Sequence, residues 1–120
     1  MITIEGRTPN DQKPRQMILD SQGQGRLRVS IVVPHSGKGP SVFVDAAALR
    51  NALGSRESEI QTRTPEGNDA RLIVRIAEVA NITIGAIDLD EQGAWHFRDG
   101  AYSIRLPIDQ WQHAVQQETA

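Results

Sequence analysis

Apolar and polar residues alternate from Arg26 onward, with Leu27, Val29, Ile31 and Val33 on one side and Arg26, Arg28 and Ser30 on the other. A period of two puts these sets on opposite faces of a strand, so the segment predicts a half-buried strand that Pro34 ends. His35-Ser36-Gly37-Lys38-Gly39-Pro40 has turn chemistry, and Val42-Phe43-Val44 resumes the alternation with Phe43 as its outward residue. The two strands are expected to form a hairpin. Asp45 can accept hydrogen bonds from free backbone N–H groups as the N-cap of a helix over Ala46 to Leu53, whose core side is Ala46, Leu49, Ala52 and Leu53. Gly54 is placed for the left-handed closing position.

The remaining segments yield to the same reading. The stretch 1–25 mixes a short strand signal with a polar, twice-prolyl run from Arg7 to Pro14, which predicts a loop or loose arm. The stretch 55–69 is polar and acidic, with Ile60 as the single anchor and a strong turn at Thr64-Pro65-Glu66-Gly67-Asn68-Asp69. From Ala70 to Leu89 the pattern is β, with Leu72, Val74 and Ile76 on one face and a break near Asn81. Ala94 to Phe97 and Ala101 to Leu106 flank Arg98-Asp99-Gly100, and Asp-Gly predicts a tight hairpin. Pro107 and Asp109 suit the start of a last helix with a buried stripe of Ile108, Trp111, Ala114 and Val115.

Laying Ser41 to Leu53 over Ser103 to Val115 aligns six apolar pairs, among them Leu49 with Trp111 and Leu53 with Val115. The expected architecture is therefore α+β: antiparallel sheet built from two β-hairpin-plus-helix units, each helix covering one sheet face. At 120 residues this makes one domain, in which 1–25 are partly loop or arm, 26–54 form the first β-β-α unit and 70–117 the second β-rich unit with its C-terminal helix. Only five aromatics, two Phe, two Trp and one Tyr, imply a thin aliphatic core that association would help, which favours a homo-oligomer.

Charge is distributed unevenly. The stretch 1–56 carries eight basic groups against four acids, and 57–120 carries five against eleven. Opposite halves of this kind fit head-to-tail subunit contacts or one basic face turned toward an anionic partner. Arg26 and Arg28, with Arg15, Lys38 and Arg50, are the candidates for such a face, and an outward Phe43 would serve a protein contact or base stacking equally. The absence of cysteine excludes disulfides and thiol chemistry. The start of the chain lacks the features of a signal peptide, and no run approaches a membrane span, so a cytoplasmic protein without membrane contact is expected.

Catalytic and cofactor signals are weak. His35 to Gly39 resembles a phosphate loop only superficially, because Val32 stands where the nucleotide loop needs glycine and Gly39 where it needs Ser or Thr. His35, His96 and His113 have no metal-ligand spacing. Asp88, Asp90, Glu91 and Asp99 are the one carboxylate cluster, and such groups more often blunt a sheet edge than catalyse. No enzyme, no cofactor and no metal are expected; the partner-binding candidates are Arg26, Arg28, Lys38 and Phe43.

The run from Val29 to Gly54, with its strand, His35-Ser36-Gly37, second strand and helix ending Leu53-Gly54, resembles the SsgA-like regulators of sporulation and cell division. Gly100, Tyr102 to Leu106, Pro107 and Trp111 to Val115 are similar to that family's ending. The likeness covers about half of the chain, and Asp45-Ala46-Ala47-Ala48 replaces the family's Arg-Asp-Leu-Leu-type helix start. It implies a Whirly-like fold, assembly into oligomers and recruitment of division or other regulatory proteins. Related folds bind single-stranded DNA, so a nucleic-acid-binding sheet face is the alternative.

Overall fold

A computed structural model describes residues 1–89, 91, 92, 95–97 and 102–120, with backbone only at 86–89 and 95–97. In chain order, β1 (Ile2–Arg7), β2 (Pro14–Gly23), β3 (Arg26–Val32) and β4 (Ser41–Asp45) lead into α1 (Ala46–Asn51), which tightens into a 3-10 turn at Ala52–Gly54. There follow β5 (Glu57–Arg63), β6 (Asp69–Ile76), β7 (Ala80–Leu89), β8 (Trp95–Phe97), β9 (Tyr102–Leu106) and α2 (Ile108–Glu118). The class is α+β, mostly antiparallel sheet with two helices.

All described strand pairings are antiparallel, and the order β6-β5-β4-β3-β2-β1-β9-β7 returns to β6, so eight strands close into a barrel. Closure is uneven. Consecutive strands within each half share long registers, but β4 meets β5 only at Phe43↔Arg63, and β1 meets β9 only at Arg7↔Arg105. The barrel is therefore two four-stranded sheets, β1-β2-β3-β4 and β5-β6-β7-β9, joined at two corners. The inner faces supply the core through alternate positions, including Met17, Val29 and Ile31 from the first sheet and Leu72, Ile82 and Ile104 from the second. Leu49 of α1 and Trp111, Ala114 and Val115 of α2 are buried in the same core.

The correspondence between the Ser41 and Ser103 segments holds at the level of register. Ser41 faces Ser30 across the β3–β4 pair and Ser103 faces Thr83 across β7–β9; in both pairs the hydroxyl oxygens lie 2.7 Å apart. Phe43 and Arg105, which the same alignment superposes, are the two corner residues. Gly6 belongs to the second corner, where a Cβ would stand 2.5 Å from the Arg105 carbonyl oxygen and 2.7 Å from Ile104 Cγ1. Only glycine lets β1 approach β9 this closely.

Several expectations need correction. In the stretch 1–25 the strand signal is β1 and the polar run is loop at 8–13, but 14–23, expected as part of a loose arm, is β2, paired with β1 from Ile2↔Leu19 to Arg7↔Pro14. The strand signal there is diluted because β2 carries Arg15 on its inner face and Gln16 beside it. The polar stretch 55–69 contains β5, paired throughout with β6 from Glu57↔Arg75 to Arg63↔Asp69. Its inward positions are Ser58, Ile60 and Thr62, two of them hydroxyl residues that hide the alternation. The break between β6 and β7 falls at 77–79, closed by Ala77 N–H donating to the Val79 carbonyl, and Asn81 is regular strand. Gly54 is not among the residues with positive φ, so the first helix closes through its 3-10 turn instead of a left-handed glycine.

The expected Asp-Gly turn at Arg98-Asp99-Gly100 lies outside the described residues. The strands on either side of it both pair with β7, β8 through Ile87↔Phe97 to Leu89↔Trp95 and β9 through Ala80↔Leu106 to Ile84↔Tyr102. They run along one long partner and, among the described pairings, not against each other. Other expectations hold: the Ala47 N–H donates to Asp45 Oδ1 at 3.0 Å, making Asp45 the N-cap, and Trp111, Ala114 and Val115 of the α2 stripe are buried.

Candidate cationic and aromatic corner

Alternation along β4 sends Val42 and Val44 into the core and leaves Phe43 half-buried on the outer face. Register then decides its neighbours. Arg28 lies directly opposite Phe43 on β3, Arg26 is opposite Asp45, and Arg63 is opposite Phe43 across the corner on β5. The Arg26 guanidinium sits 4.7 Å from the centroid of the Phe43 ring, a cation–π contact of about 0.5–1 kcal/mol where solvent reaches it. Arg26 thus lies over the ring, with Arg28 and Arg63 in register with Phe43 on the strands either side.

Next to the ring lies a cleft of about 590 Å³, bounded by Arg26, Phe43, Arg63, Thr62, Pro65 and Asp69. Arg63 Nη1 donates to the Gly67 carbonyl at 3.2 Å and lies 3.6 Å from Asp69 Oδ1, so the 64–68 turn orients this guanidinium. Thr62 is only 6 % exposed, and its hydroxyl has no hydrogen-bond partner among the described residues. Nor does the Arg26 guanidinium make a hydrogen bond or ion pair among the described residues; it rests on the ring.

Each cation of this patch has a carboxylate nearby. Asp20 is in register with Arg28, Asp45 with Arg26, and Asp69 is beside Arg63. Arg28 also donates from Nη2 to Ser41 Oγ at 3.4 Å. The basic surplus of the first half of the sequence therefore does not become an unbroken basic face.

Of the four partner-binding candidates, Arg26, Arg28 and Phe43 come together. Lys38 stands apart in the β3–β4 loop, where its carbonyl accepts from Val33 N–H and its own N–H donates to Ser36 Oγ. That loop folds tightly over β3: a Cβ on Gly39 would lie 1.8 Å from the Ile31 carbonyl oxygen. Arg15 is on the other face of the sheet, in register with Gly6 and on the same side of β2 as the buried Met17 and Leu19. Arg50 is on α1, donating from Nε to Thr119 Oγ1 at 3.1 Å, and is not part of the patch. Arg63 is the member that the sequence pattern hides, because the segment around it reads as a polar linker. A single clue is present: Ile60 and Thr62 alternate with polar and charged residues just before Thr64-Pro65.

The second corner differs in kind. The cleft beside Arg7 and Arg105 also holds Glu5, Glu78 and Asp109, with no aromatic residue in its described lining. Three acids against two arginines make it the more acidic of the two corners. Of the carboxylate cluster, Asp90 and Asp99 lie outside the described residues, as does the side chain of Asp88. Among the described residues no group of three or more His, Asp or Glu side chains is placed to hold a metal ion. No described helix is long and apolar enough to cross a membrane.

No family model, no curated protein and no solved structure matches the chain.

Proposed function

We propose that the protein is a non-enzymatic, homo-oligomeric binding module that meets a protein partner through the outer face of its first sheet, centred on Phe43. The observation that carries this reading is the charge balance around that ring: Arg26, Arg28 and Arg63 against Asp20, Asp45 and Asp69. Aromatic residues and arginine are enriched in protein interfaces, where paired charges fix orientation. A polyanion instead needs cations in excess along a track. The proposal includes a Whirly-like arrangement of the two four-strand-plus-helix halves, a cytoplasmic location and a role in recruiting regulatory or cell-division proteins. The correspondence between the two corners supports the first of these.

Single-stranded nucleic acid is the second reading, favoured by one feature: arginines around an outward ring are how bases are stacked and phosphates held. Light scattering on the wild-type chain and a Phe43→Glu variant, with and without a labelled oligothymidylate, at low and physiological salt, separates the two. The protein reading expects a defined oligomer that ignores the oligonucleotide and is weakened by Phe43→Glu. Salt-sensitive oligonucleotide binding that disappears with Arg26→Ala and Arg28→Ala would replace it with the second.

A further inference from the structure

We infer that the cleft between Phe43 and Arg63 is a receptor for a carboxylate side chain on an acidic, partly apolar segment of the partner protein. This rests on the protein-binding reading and names what that surface recognises. The cleft presents donors that lack acceptors. Among the described contacts the Arg26 guanidinium has no hydrogen bond or ion pair, and Arg63 uses only Nη1. A guanidinium is a planar fork of N–H donors that matches a carboxylate, and Arg26 is already ordered against the Phe43 ring.

Charge limits the ligand. Arg26 and Arg63 against Asp69 leave the cleft with one net positive charge, enough for a carboxylate. The patch around it, where Asp20 and Asp45 offset the remaining arginine, offers a longer polyanion no further net positive charge. Phe43 and Pro65 beside the guanidiniums offer apolar contact to residues flanking the acid. The other corner, with acids outnumbering arginines and no ring in its described lining, is the internal contrast: a corner of the same kind there lacks the chemistry.

The test is fluorescence anisotropy with a labelled peptide alternating Leu and Glu, its Leu and Lys counterpart, and a labelled oligothymidylate, each against the full chain. The acidic peptide is expected to bind, to shift the backbone amides of Phe43 and Arg63 in nuclear magnetic resonance spectra, and to weaken about tenfold in Arg26→Ala and in Arg63→Ala. Arg105→Ala at the opposite corner is expected to change nothing. Equal binding of the basic peptide, or acidic-peptide binding unaffected by Arg26→Ala and Arg63→Ala, overturns the inference. No peptide binding, in a chain whose oligomer still responds to Phe43→Glu, overturns the carboxylate receptor but leaves the protein-binding surface standing. Oligothymidylate displacing the peptide from the same amides overturns both.

Discussion

Replacing Gly6 with alanine tests the corner that closes the barrel. The added Cβ would lie 2.5 Å from the Arg105 carbonyl oxygen, 2.7 Å from Ile104 Cγ1 and 2.8 Å from Leu106 Cδ2. The two side chains can shift by a rotamer change, but the carbonyl belongs to the backbone of β9. Relief must come from separating β1 and β9, which share a single register pair, Arg7↔Arg105. Overpacking of this kind costs about 1–3 kcal/mol. With the backbone clash we expect the upper part of that range, or a fall in Tm of about 6–15 °C for a domain of this size. Gly54→Ala is the control: nothing lies within 4 Å of its Cβ position and its φ is not positive, so the change is expected to be neutral or stabilising by up to about 1 kcal/mol. Thermal unfolding followed by far-ultraviolet circular dichroism reads both. An unchanged Tm in Gly6→Ala would refute the corner as described, and a large loss in Gly54→Ala would restore the left-handed cap that the sequence suggests.

Other outcomes follow from single contacts. Asp45→Ala removes the N-cap of α1 and should cost about 1 kcal/mol in chemical denaturation. Ser41→Ala strands the 7 %-exposed Ser30 hydroxyl and should cost about 1–3 kcal/mol, while the Ser30→Ala, Ser41→Ala double variant should cost less than the sum of the singles; strict additivity would count against the hydroxyl pair. Trp111→Ala should cost about 3–5 kcal/mol, whereas Trp111→Phe should be far milder, because the buried indole N–H has no described partner to lose. The Thr8 hydroxyl, then Lys13, hold the Asp11 carboxyl below its ordinary 3.8. Its contribution to stability is therefore full above the unfolded value and is lost as pH falls through the lower folded value. Carbon-detected titration should show that midpoint returning toward 3.8 in Thr8→Val.

Legibility along the chain follows how cleanly each segment separates its two faces. The β3–β4 hairpin, its Asp45-capped helix and the α2 stripe are readable because Val, Ile, Leu, Ala and Trp occupy the inner positions without exception. β5 is not, because Ser58 and Thr62 face inward and make a strand look like a linker. The Asp-Gly dipeptide is a local turn signal in a region where β8 and β9 take their pairing from β7, a partner whose identity is set by the whole barrel. Local patterns show faces, but corners depend on which distant strands come to lie side by side. That is why Phe43 is legible as an outward aromatic while Arg63, beyond a helix and most of a strand, is not legible as its neighbour. It is also why the charge surplus of the first half does not become a basic face: Asp20 and Asp45 reach Arg28 and Arg26 through register, not through proximity in sequence.

The end of α2 returns to where β1 starts. Glu118 accepts from the Met1 ammonium at 2.9 Å and from the Ser21 N–H at 3.2 Å. The step from α2 to β1 thus occupies the same place in the repeat as the covalent step from α1 to β5. In order of elements each half is four paired strands of the barrel and a helix, so the start of β1 and the start of β5 are equivalent places in the described fold. The Glu118 contacts therefore do for the entry of β1 what the peptide chain through Ser55 does for the entry of β5: they fix where a four-strand sheet begins relative to the helix before it.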